Sequence, residues 1–216
     1  MQVYKWYWRI EPGIKYTCPI NFDPFEYMER ENKKYAYVIA LQEVGSTVRG
    51  LYRAISDYKS RMGIESSKFW QALIGASWAP FPIRWFLRLA PYRDIHGDEW
   101  NLCHFWNNFE IADMDFFRQD SYRDLMDYLD ELGGFYFERW GDASVRSFAA
   151  ALLLKPEEIQ YFGNDICYCH GNFCSPGVNL LSPTDSCPLI PPASSNSRQG
   201  SFNEICLAKF RQANLL

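Results

Sequence analysis

Carboxylates stand among aromatic rings in two segments of this chain, and that combination constrains how the chain can fold. The two segments, 103–118 and 133–142, are otherwise apolar enough to be interior, yet they contain five acids: Glu110, Asp113, Asp115, Glu138 and Asp142. Burying a carboxylate is costly unless a metal ion, a cation or hydrogen bonds compensate its charge. The sequence therefore predicts a functional site at these segments.

The composition is that of a globular protein without a nucleic-acid partner. Of the 216 residues, 48% are hydrophobic, and the formal net charge is −4 with no basic stripe. A nucleic-acid surface requires clustered Lys and Arg. No uninterrupted apolar run approaches the ~20 residues that span a bilayer, and the first residues lack the apolar core of a signal peptide. We expect one domain, or part of a larger one.

Patterns for strands and helices alternate along the chain. Four β-prone runs predict strands: 3–10, 35–41, 104–111 and 158–162. Capping residues and helical spacing of apolar residues predict helices at 24–32, 47–62, 65–76, 122–132 and 142–152. The Pro- and Gly-rich segment 79–97 is expected to be a loop. Strands separated by helices indicate an α/β layered fold.

The composition changes after Cys174. Residues 175–201 are rich in Ser, Pro, Asn and Gly and have little to bury. We therefore predict a folded domain over 1–174 and a disordered tail over 175–216, in which 204–215 form a short helix.

The first candidate site residues, Arg9 and Glu11, lie where the first predicted strand ends. Pro12 and Gly13 follow and must turn the chain. Because α/β proteins bind ligands beyond the carboxyl ends of strands, Glu11 with Arg9 beside it is a candidate for holding a divalent metal or a sugar hydroxyl. The alternative is a turn carboxylate that caps backbone amides.

The second candidate is Glu110, on the predicted strand 104–111. Side chains alternate along a strand, so Glu110 and Phe109 point to opposite faces, one to the core and one to a cleft. An ionised Glu in a cleft can act as nucleophile or base. Asp113 and Asp115 are expected to end the strand and start a turn.

The third candidate pair is Glu138 and Arg139, which could form charge-assisted hydrogen bonds with a substrate. Asp142, three residues later, is expected to cap the next helix.

The cysteines and His170 are compatible with two kinds of metal site, for zinc or for manganese. Seven Cys are present, at positions 18, 103, 167, 169, 174, 187 and 206. Cys167-Tyr-Cys169 with His170 resembles half of a zinc site, but no second half is visible. A neutral imidazole near carboxylates would instead suit manganese. In an oxidising compartment the odd count leaves at least one thiol unpaired, and spacing does not decide which one.

Three motifs resemble one enzyme family. Trp8-Arg-Ile-Glu-Pro-Gly-Ile-Lys-Tyr-Thr-Cys18, Asn101-Leu-Cys-His-Phe-Trp-Asn-Asn-Phe-Glu-Ile111 and Gly133-Gly-Phe-Tyr-Phe-Glu-Arg-Trp-Gly-Asp-Ala143 are similar to motifs of the fungal α-1,2-mannosyltransferases, the glycolipid 2-α-mannosyltransferase family. The motifs occur in the family's order, over about residues 4 to 170.

The resemblance implies a GT-A-like α/β fold with a mixed sheet flanked by helices, GDP-mannose as donor, and Mn²⁺ as the bound ion. It implies transfer of mannose to the 2-hydroxyl of a mannoside acceptor, with retention, in the Golgi lumen. Glu110 matches the carboxylate proposed as nucleophile, Glu11 the acid near metal and donor, and His170 the metal-ligand histidine. Retention fits a carboxylate beneath the anomeric carbon, as in retaining glycosidases. Mn²⁺ would neutralise the departing diphosphate.

The sequence also departs from the family. Members carry a membrane anchor and a region with the first nucleotide-binding strands before the Glu11 motif, so this chain resembles the C-terminal part of a catalytic domain that lacks those strands. Ser144 and Arg146 replace the more usual Pro and His, and the residues around His170 differ. Two other functions remain open: a non-catalytic relative that binds a sugar or a partner, and a glycoside hydrolase with Glu110 and Glu138 as its carboxylate pair.

Overall fold

The structure is a computed structural model, and it describes residues 3–80, 83–87, 89–90, 92–171, 173–175 and 198–216. The strands in these ranges are β1 Trp6–Ile10, β2 Ile14–Tyr16, β3 Tyr35–Tyr37, β4 Ala40–Gln42, β5 Ile74–Gly75, β6 Glu99–Trp100, β7 Cys103–Phe105, β8 Phe109–Asp113, β9 Ile159–Tyr161, β10 Tyr168–His170 and β11 Phe173–Cys174. The α-helices are α1 Pro24–Arg30, α2 Leu51–Arg61, α3 Lys68–Leu73, α4 Ile83–Leu87, α5 Met114–Arg118, α6 Asp120–Glu131, α7 Gly134–Phe137, α8 Asp142–Leu153 and α9 Arg198–Gln212.

A mixed sheet lies between two layers and has the strand order β1-β8-β3-β9. β8 runs antiparallel to both β1 and β3, whereas β3 and β9 are parallel. One face of the sheet packs against α2, α3, α6, α8 and α9 in the larger core. The other face packs against α1 and the small sheet β11-β10-β2 in a second core. The α/β layered fold expected from the sequence is confirmed.

Two strands that the sequence predicts as continuous are each divided between sheets. The predicted strand 35–41 becomes β3 and β4, and the predicted strand 104–111 becomes β7 and β8. β4 pairs with β7 in a sheet of its own. Phe105 of β7 pairs with Ala40 of β4, and Ile111 of β8 pairs with Ala36 of β3. Five residues (106–110) separate Phe105 from Ile111, but only three (37–39) separate Ala36 from Ala40, so the β7–β8 segment has two extra residues. The two extra residues are accommodated in a bulge over 106–108, where the chain turns at Asn107 and Asn108.

The larger core is built around Phe148 of α8. Its ring packs against Tyr52, Trp70 and Trp100, with ring centroids 6.1, 5.8 and 4.9 Å away. Aromatic pairs at such distances add to the stabilisation from area burial. The predicted buried face of α8 is confirmed, since Val145, Ala149 and Leu152 are also buried.

Helix α1 begins as the sequence predicts. The Asp23 carboxylate accepts hydrogen bonds from the amides of Phe25 (2.8 Å) and Glu26 (3.2 Å), and Pro24 occupies the first turn. The helix ends at Arg30, two residues before the predicted Asn32, which has a φ of 51°.

We expect Asp23→Ala to lower the free energy of unfolding by about 1 kcal/mol, because two helix-terminal amides lose their acceptor. Urea denaturation followed by circular dichroism measures the change. Asp23→Asn is the matched control and should stay within a few tenths of a kcal/mol of the wild type. Equal stability of all three proteins would show that the cap contributes nothing.

The C-terminal end corrects the predicted disordered tail. The short helix expected at 204–215 is present as part of α9, which packs against β4 with Cys206, Leu207 and Phe210 buried. The prediction of disorder is therefore wrong for residues 198–216, because apolar residues in the helix complete the larger core. The rest of the predicted tail, residues 176–197, lies outside the described residues. The predicted loop 79–97 also contains a short helix, α4.

Six of the seven cysteines form three disulfides. Cys18 bonds to Cys167, Cys103 to Cys206, and Cys169 to Cys174. The thiols of the Cys167-Tyr-Cys169 motif are therefore not available as zinc ligands. Cys187 lies outside the described residues.

Candidate functional site

Three charged side chains converge where β1 ends and α8 begins. The Arg9 guanidinium donates to Glu11 from Nε at 2.6 Å and also forms an ion pair with Asp142. These groups reach solvent, since 29% of the Glu11 side chain and 55% of the Asp142 side chain are exposed. This Arg9 cluster (Arg9, Glu11, Asp142) therefore presents carboxylates that a ligand can contact.

Glu110 lies beside this cluster, but inside the protein. It is the register partner of Arg9 across the β1–β8 pair, so the two side chains share the face of the sheet that packs on α8. Its side chain is 0% exposed. One carboxylate oxygen accepts from the Tyr35 hydroxyl at 2.8 Å, and the other is ion-paired with Arg146. The expectation that Glu110 faces an open cleft is therefore wrong for this structure.

Arg146 holds Glu110 from the first turns of α8. Its guanidinium lies 5.9 Å from the ring centroid of Tyr7 and 5.3 Å from that of Phe117. Aromatic faces attract a cation, and the planar fork of Arg matches a carboxylate. The two rings and Glu110 therefore fix the position of this side chain.

The environment moves the pKa values of the two carboxylates in opposite directions. Burial raises the pKa of Glu110 above its ordinary value, although the charge of Arg146 and the hydrogen bond from Tyr35 oppose the rise. At Asp142, burial also raises the pKa, but the hydrogen bond and charge of Arg9 outweigh burial and leave it below its ordinary value. Asp142 is thus held ionised near neutral pH, whereas the ionised form of Glu110 depends on Arg146.

His170 lies at the same end of the sheet. Its ring stacks on Trp106 with centroids 5.2 Å apart, and its Nδ1 is 2.6 Å from the carboxamide nitrogen of Asn108, one of the residues of the bulge. Strand β10, which ends at His170, pairs with β2, the strand that follows the turn after Glu11. The Nε2 atom of His170 lies 3.9 Å from the position that a Cβ on Gly13 would take.

A metal ion would find few protein ligands here. No group of three or more His, Cys, Asp or Glu that could hold a metal occurs among the described residues. The predicted ligands His170 and Glu11 flank the same turn and offer an imidazole and a carboxylate, a donor set that suits Mn²⁺. If the Asn108 carboxamide is oriented so that its oxygen accepts from Nδ1–H, Nε2 keeps its lone pair for a metal. A cation at this turn would therefore need oxygen ligands from its substrate or water.

The structure does not bring Glu138 and Arg139 into the Arg9 cluster. The Glu138 carboxylate accepts from the Gly50 amide at 2.6 Å and from Trp140 Nε1 at 3.0 Å, so it caps the start of α2. Arg139 is exposed, and its φ of 61° is in the left-handed region. With Glu138 used as a cap and Glu110 buried, the geometry gives no support to a glycoside hydrolase pair.

Asp142 is a site residue that the sequence interpretation assigned elsewhere. Gly141, not Asp142, is the N-cap residue of α8, and the Asp142 carboxylate binds Arg9 instead. By contrast, Asp113 ends β8, as predicted. The predicted turn is instead the start of α5, where the Asp113 carboxylate accepts from the amide of Asp115 at 2.9 Å.

The sequence interpretation also missed Tyr35 and Asn108, and treated Arg146 only as a departure from the family pattern. Arg146 follows Asp142 by four residues on a predicted helix, so the two lie on one face, and this spacing was an available signal. No motif or spacing in the sequence identifies Tyr35 or Asn108 as a residue of the site.

We expect Arg146→Gln to raise the pKa of Glu110 further, because the variant removes the cation that favours the ionised carboxylate. Tyr35 and Arg9 remain as the other polar neighbours. Titration of ¹³Cδ-labelled glutamate by NMR measures the midpoint, with Glu110→Gln identifying the signal. Arg146→Lys keeps the charge and should give an intermediate midpoint. A midpoint in Arg146→Gln at or below that of the wild type would contradict the role given to Arg146.

Comparison with known proteins identifies relatives over the whole chain. The sequence model described as glycolipid 2-alpha-mannosyltransferase matches residues 1–214. An alpha-1,2 mannosyltransferase of Saccharomyces cerevisiae, KTR1, is 42% identical over 100% of this chain and 50% of its own length. O-glycoside alpha-1,2-mannosyltransferase homolog 5 of Schizosaccharomyces pombe is 36% identical over 94% of this chain and 50% of its own length.

Solved structures agree with the expected fold. The X-ray structure of the mannosyltransferase Ktr4p from S. cerevisiae in complex with GDP superposes with a TM-score of 0.75 at 30% identity, over 98% of this chain and 51% of Ktr4p. The Mn/GDP form of core-mannan synthase A from Aspergillus fumigatus gives 0.75 at 28% identity, over 97% and 53%. The expected GT-A-like α/β class is confirmed, and the chain spans about half the length of these relatives.

Proposed function

Because this chain belongs to the glycolipid 2-α-mannosyltransferase family, we propose that it contributes the catalytic carboxylates of an α-1,2-mannosyltransferase. The donor would be GDP-mannose, and the acceptor the 2-hydroxyl of a mannoside. Two solved relatives hold GDP, namely the mannosyltransferase Ktr4p and core-mannan synthase A, the second of them in an Mn/GDP form. Since the chain spans about half of its relatives, activity is proposed for the whole protein to which these residues belong.

One observation supports the proposal most strongly. The three motifs that resemble the family meet in space: Arg9 and Glu11 come from the first, Glu110 from the second and Asp142 from the third. Residues up to 133 positions apart in sequence thus form one charged group, at the edge of the sheet where β1 ends and β8 begins.

We propose that transfer with retention uses Glu110 in two displacements. The carboxylate attacks the anomeric carbon as the bond to the GDP oxygen breaks, which leaves mannose bound to Glu110. The acceptor 2-hydroxyl then gives its proton to a phosphate oxygen of the released GDP, and its oxygen displaces the Glu110 carboxylate from the same carbon, restoring the original configuration. Because Glu110 is 0% exposed in this structure, the attack requires the carboxylate to leave Arg146 and turn toward the Arg9 cluster.

The exposed members of the site would bind the sugars. Asp142 and Glu11, which are ion-paired with Arg9, can accept hydrogen bonds from mannose hydroxyls, which orients the ring over the end of β1. His170 and Glu11 would hold Mn²⁺, which when bound neutralises charge on the diphosphate leaving group. Asn108 and Trp106 would fix the His170 ring through the hydrogen bond and the stacking contact described above.

We expect His170→Asn and Glu11→Gln each to weaken Mn²⁺-dependent GDP binding by about tenfold or more, because each removes a donor or its charge. Isothermal titration of the protein with GDP, with and without Mn²⁺, measures the loss. Glu29→Gln removes a surface carboxylate paired with Lys5 and serves as the control. If the two site variants bind GDP as tightly as the wild type and respond equally to Mn²⁺, the assigned metal site is wrong.

A second function, a sugar-binding module without catalysis, is favoured by the burial of Glu110. A carboxylate held by both oxygens cannot attack without rearrangement, whereas Glu11 and Asp142, although ion-paired with Arg9, are partly exposed and can bind hydroxyls. Binding of methyl α-mannoside with no binding of GDP, in the same titrations, would support this function against the transferase.

We also propose that the protein works in an oxidising compartment, in keeping with the Golgi lumen. The three disulfides support this, because cytosolic thiols are kept reduced. No helix in the described part of the chain is long and apolar enough to cross a membrane.

A further inference from the structure

A cleft of about 750 Å³ opens outside the candidate site, and none of Arg9, Glu11, Glu110, Asp142 or His170 lines it. Helices α3 and α9 form two of its walls, and the segment from β6 to β7 contributes to its lining. Its volume is within the range of small-molecule sites, about 300–1,000 Å³.

The charges in the cleft are unbalanced. Arg93 and Glu99 line it as an ion pair and neutralise each other. The remaining charged residues of the lining are Lys68 on α3 and Lys209 on α9. Neither lysine has an ion-pair partner within the described ranges. The cleft therefore carries two cations that a bound anion would neutralise.

An aromatic surface adjoins these cations. The Trp78 side chain lines the cleft and is 88% exposed, whereas Trp100, which also lines it, is buried. An indole left in water is a surface that binding can cover, and its flat apolar face stacks on the C–H face of a sugar ring. Charge and ring together favour a ligand that is both a saccharide and an anion.

A disulfide connects the α9 wall of the cleft to the lining segment from β6 to β7, here called the floor. Cys206 precedes Lys209 by about one turn of α9 and is bonded to Cys103, which directly follows Leu102 of the lining. Asn101 accepts from the Cys103 amide at 2.9 Å, and Trp100 Nε1 donates to the Cys103 carbonyl at 3.1 Å. The wall and floor are thus connected before any ligand arrives, which lowers the entropy cost of binding.

We propose that this cleft is a second binding site, for a sugar phosphate. Lys68 and Lys209 contact the phosphate from the two walls, and the sugar ring stacks on Trp78. The site acts independently of the transfer reaction, and it requires neither GDP nor Mn²⁺.

Isothermal titration with mannose 6-phosphate, inorganic phosphate and methyl α-mannoside tests this assignment. Mannose 6-phosphate should bind at least about tenfold more tightly than either part alone, because only it engages both the lysines and the indole. Its affinity should fall with added salt. No binding of mannose 6-phosphate at millimolar concentration, or equal binding of inorganic phosphate, would overturn the proposal.

Variants locate the site. The double variant Lys68→Gln, Lys209→Gln should weaken mannose 6-phosphate binding at least about tenfold, and Trp78→Ala at least about threefold. All three residues lie at the surface of the cleft, and melting curves check that the variants fold. Lys5→Gln, which removes one lysine from a surface ion pair outside the cleft, is the control and should leave the affinity unchanged. Unchanged affinity in both cleft variants, or an equal loss in Lys5→Gln, would contradict the assignment.

Discussion

Replacing Glu110 with Gln is expected to lower mannosyl transfer by about 10³-fold or more, because the variant keeps the shape of the side chain but loses the nucleophile. The protein is also expected to lose about 2–3 kcal/mol of stability. Removing one partner of a buried ion pair costs about 3–5 kcal/mol, and a quarter of the Arg146 side chain reaches solvent, which reduces the cost. Transfer from GDP-mannose to methyl α-mannoside, measured well below the melting temperature, separates the two effects.

A small external nucleophile distinguishes catalysis from positioning at Glu110. In Glu110→Ala, azide can enter the space left by the carboxylate and displace GDP, so mannosyl azide should form if Glu110 attacks the anomeric carbon. Glu29→Gln should keep wild-type activity, since its partner Lys5 is at the surface. Full activity in Glu110→Gln would end the catalytic assignment. Loss of activity without azide rescue would leave Glu110 as a residue that positions Arg146.

Removing the disulfide between Cys103 and Cys206 is expected to destabilise the protein by about 4–5 kcal/mol, since it closes a loop of about 100 residues in the unfolded chain. The two positions are 103 residues apart. The double variant Cys103→Ser, Cys206→Ser also leaves a hydroxyl in the core where α9 packs. Chemical denaturation under non-reducing conditions measures the loss.

The disulfide between Cys169 and Cys174 provides the matched control. It joins positions five residues apart, so its removal should cost only about 2 kcal/mol on the same loop-closure argument. Equal effects of the two double variants would contradict the loop-closure explanation. Hydrogen exchange should show faster opening of α9 in the Cys103→Ser, Cys206→Ser variant only. In that variant the helix has lost its covalent attachment, and only the packing of Leu207 and Phe210 still holds it.

Most helices and the family could be predicted from the amino-acid sequence alone. Helix α1 follows from an N-terminal Asp-Pro pair, α6 from a repeat of apolar residues that ends at a Gly-Gly pair, and α8 from apolar residues at helical spacing. All of these signals act within a few residues. The three motifs identified the family because rare residues occur there in a fixed order. The sequence also named most of the polar residues that meet at the end of β1, although not their roles.

The environment of those residues depends on contacts between segments that are distant in the sequence. The bulge after Phe105 depends on the pairing with β3 and β4, and it puts Asn108 against His170, 62 residues away. The burial of Glu110 depends on Tyr35 and Arg146, which reach it from another strand and a helix. Asp142 became a partner of Arg9 and not a helix cap because the fold brings them together across 133 residues. Local patterns cannot report such contacts, since their free energy arises only after distant segments pack.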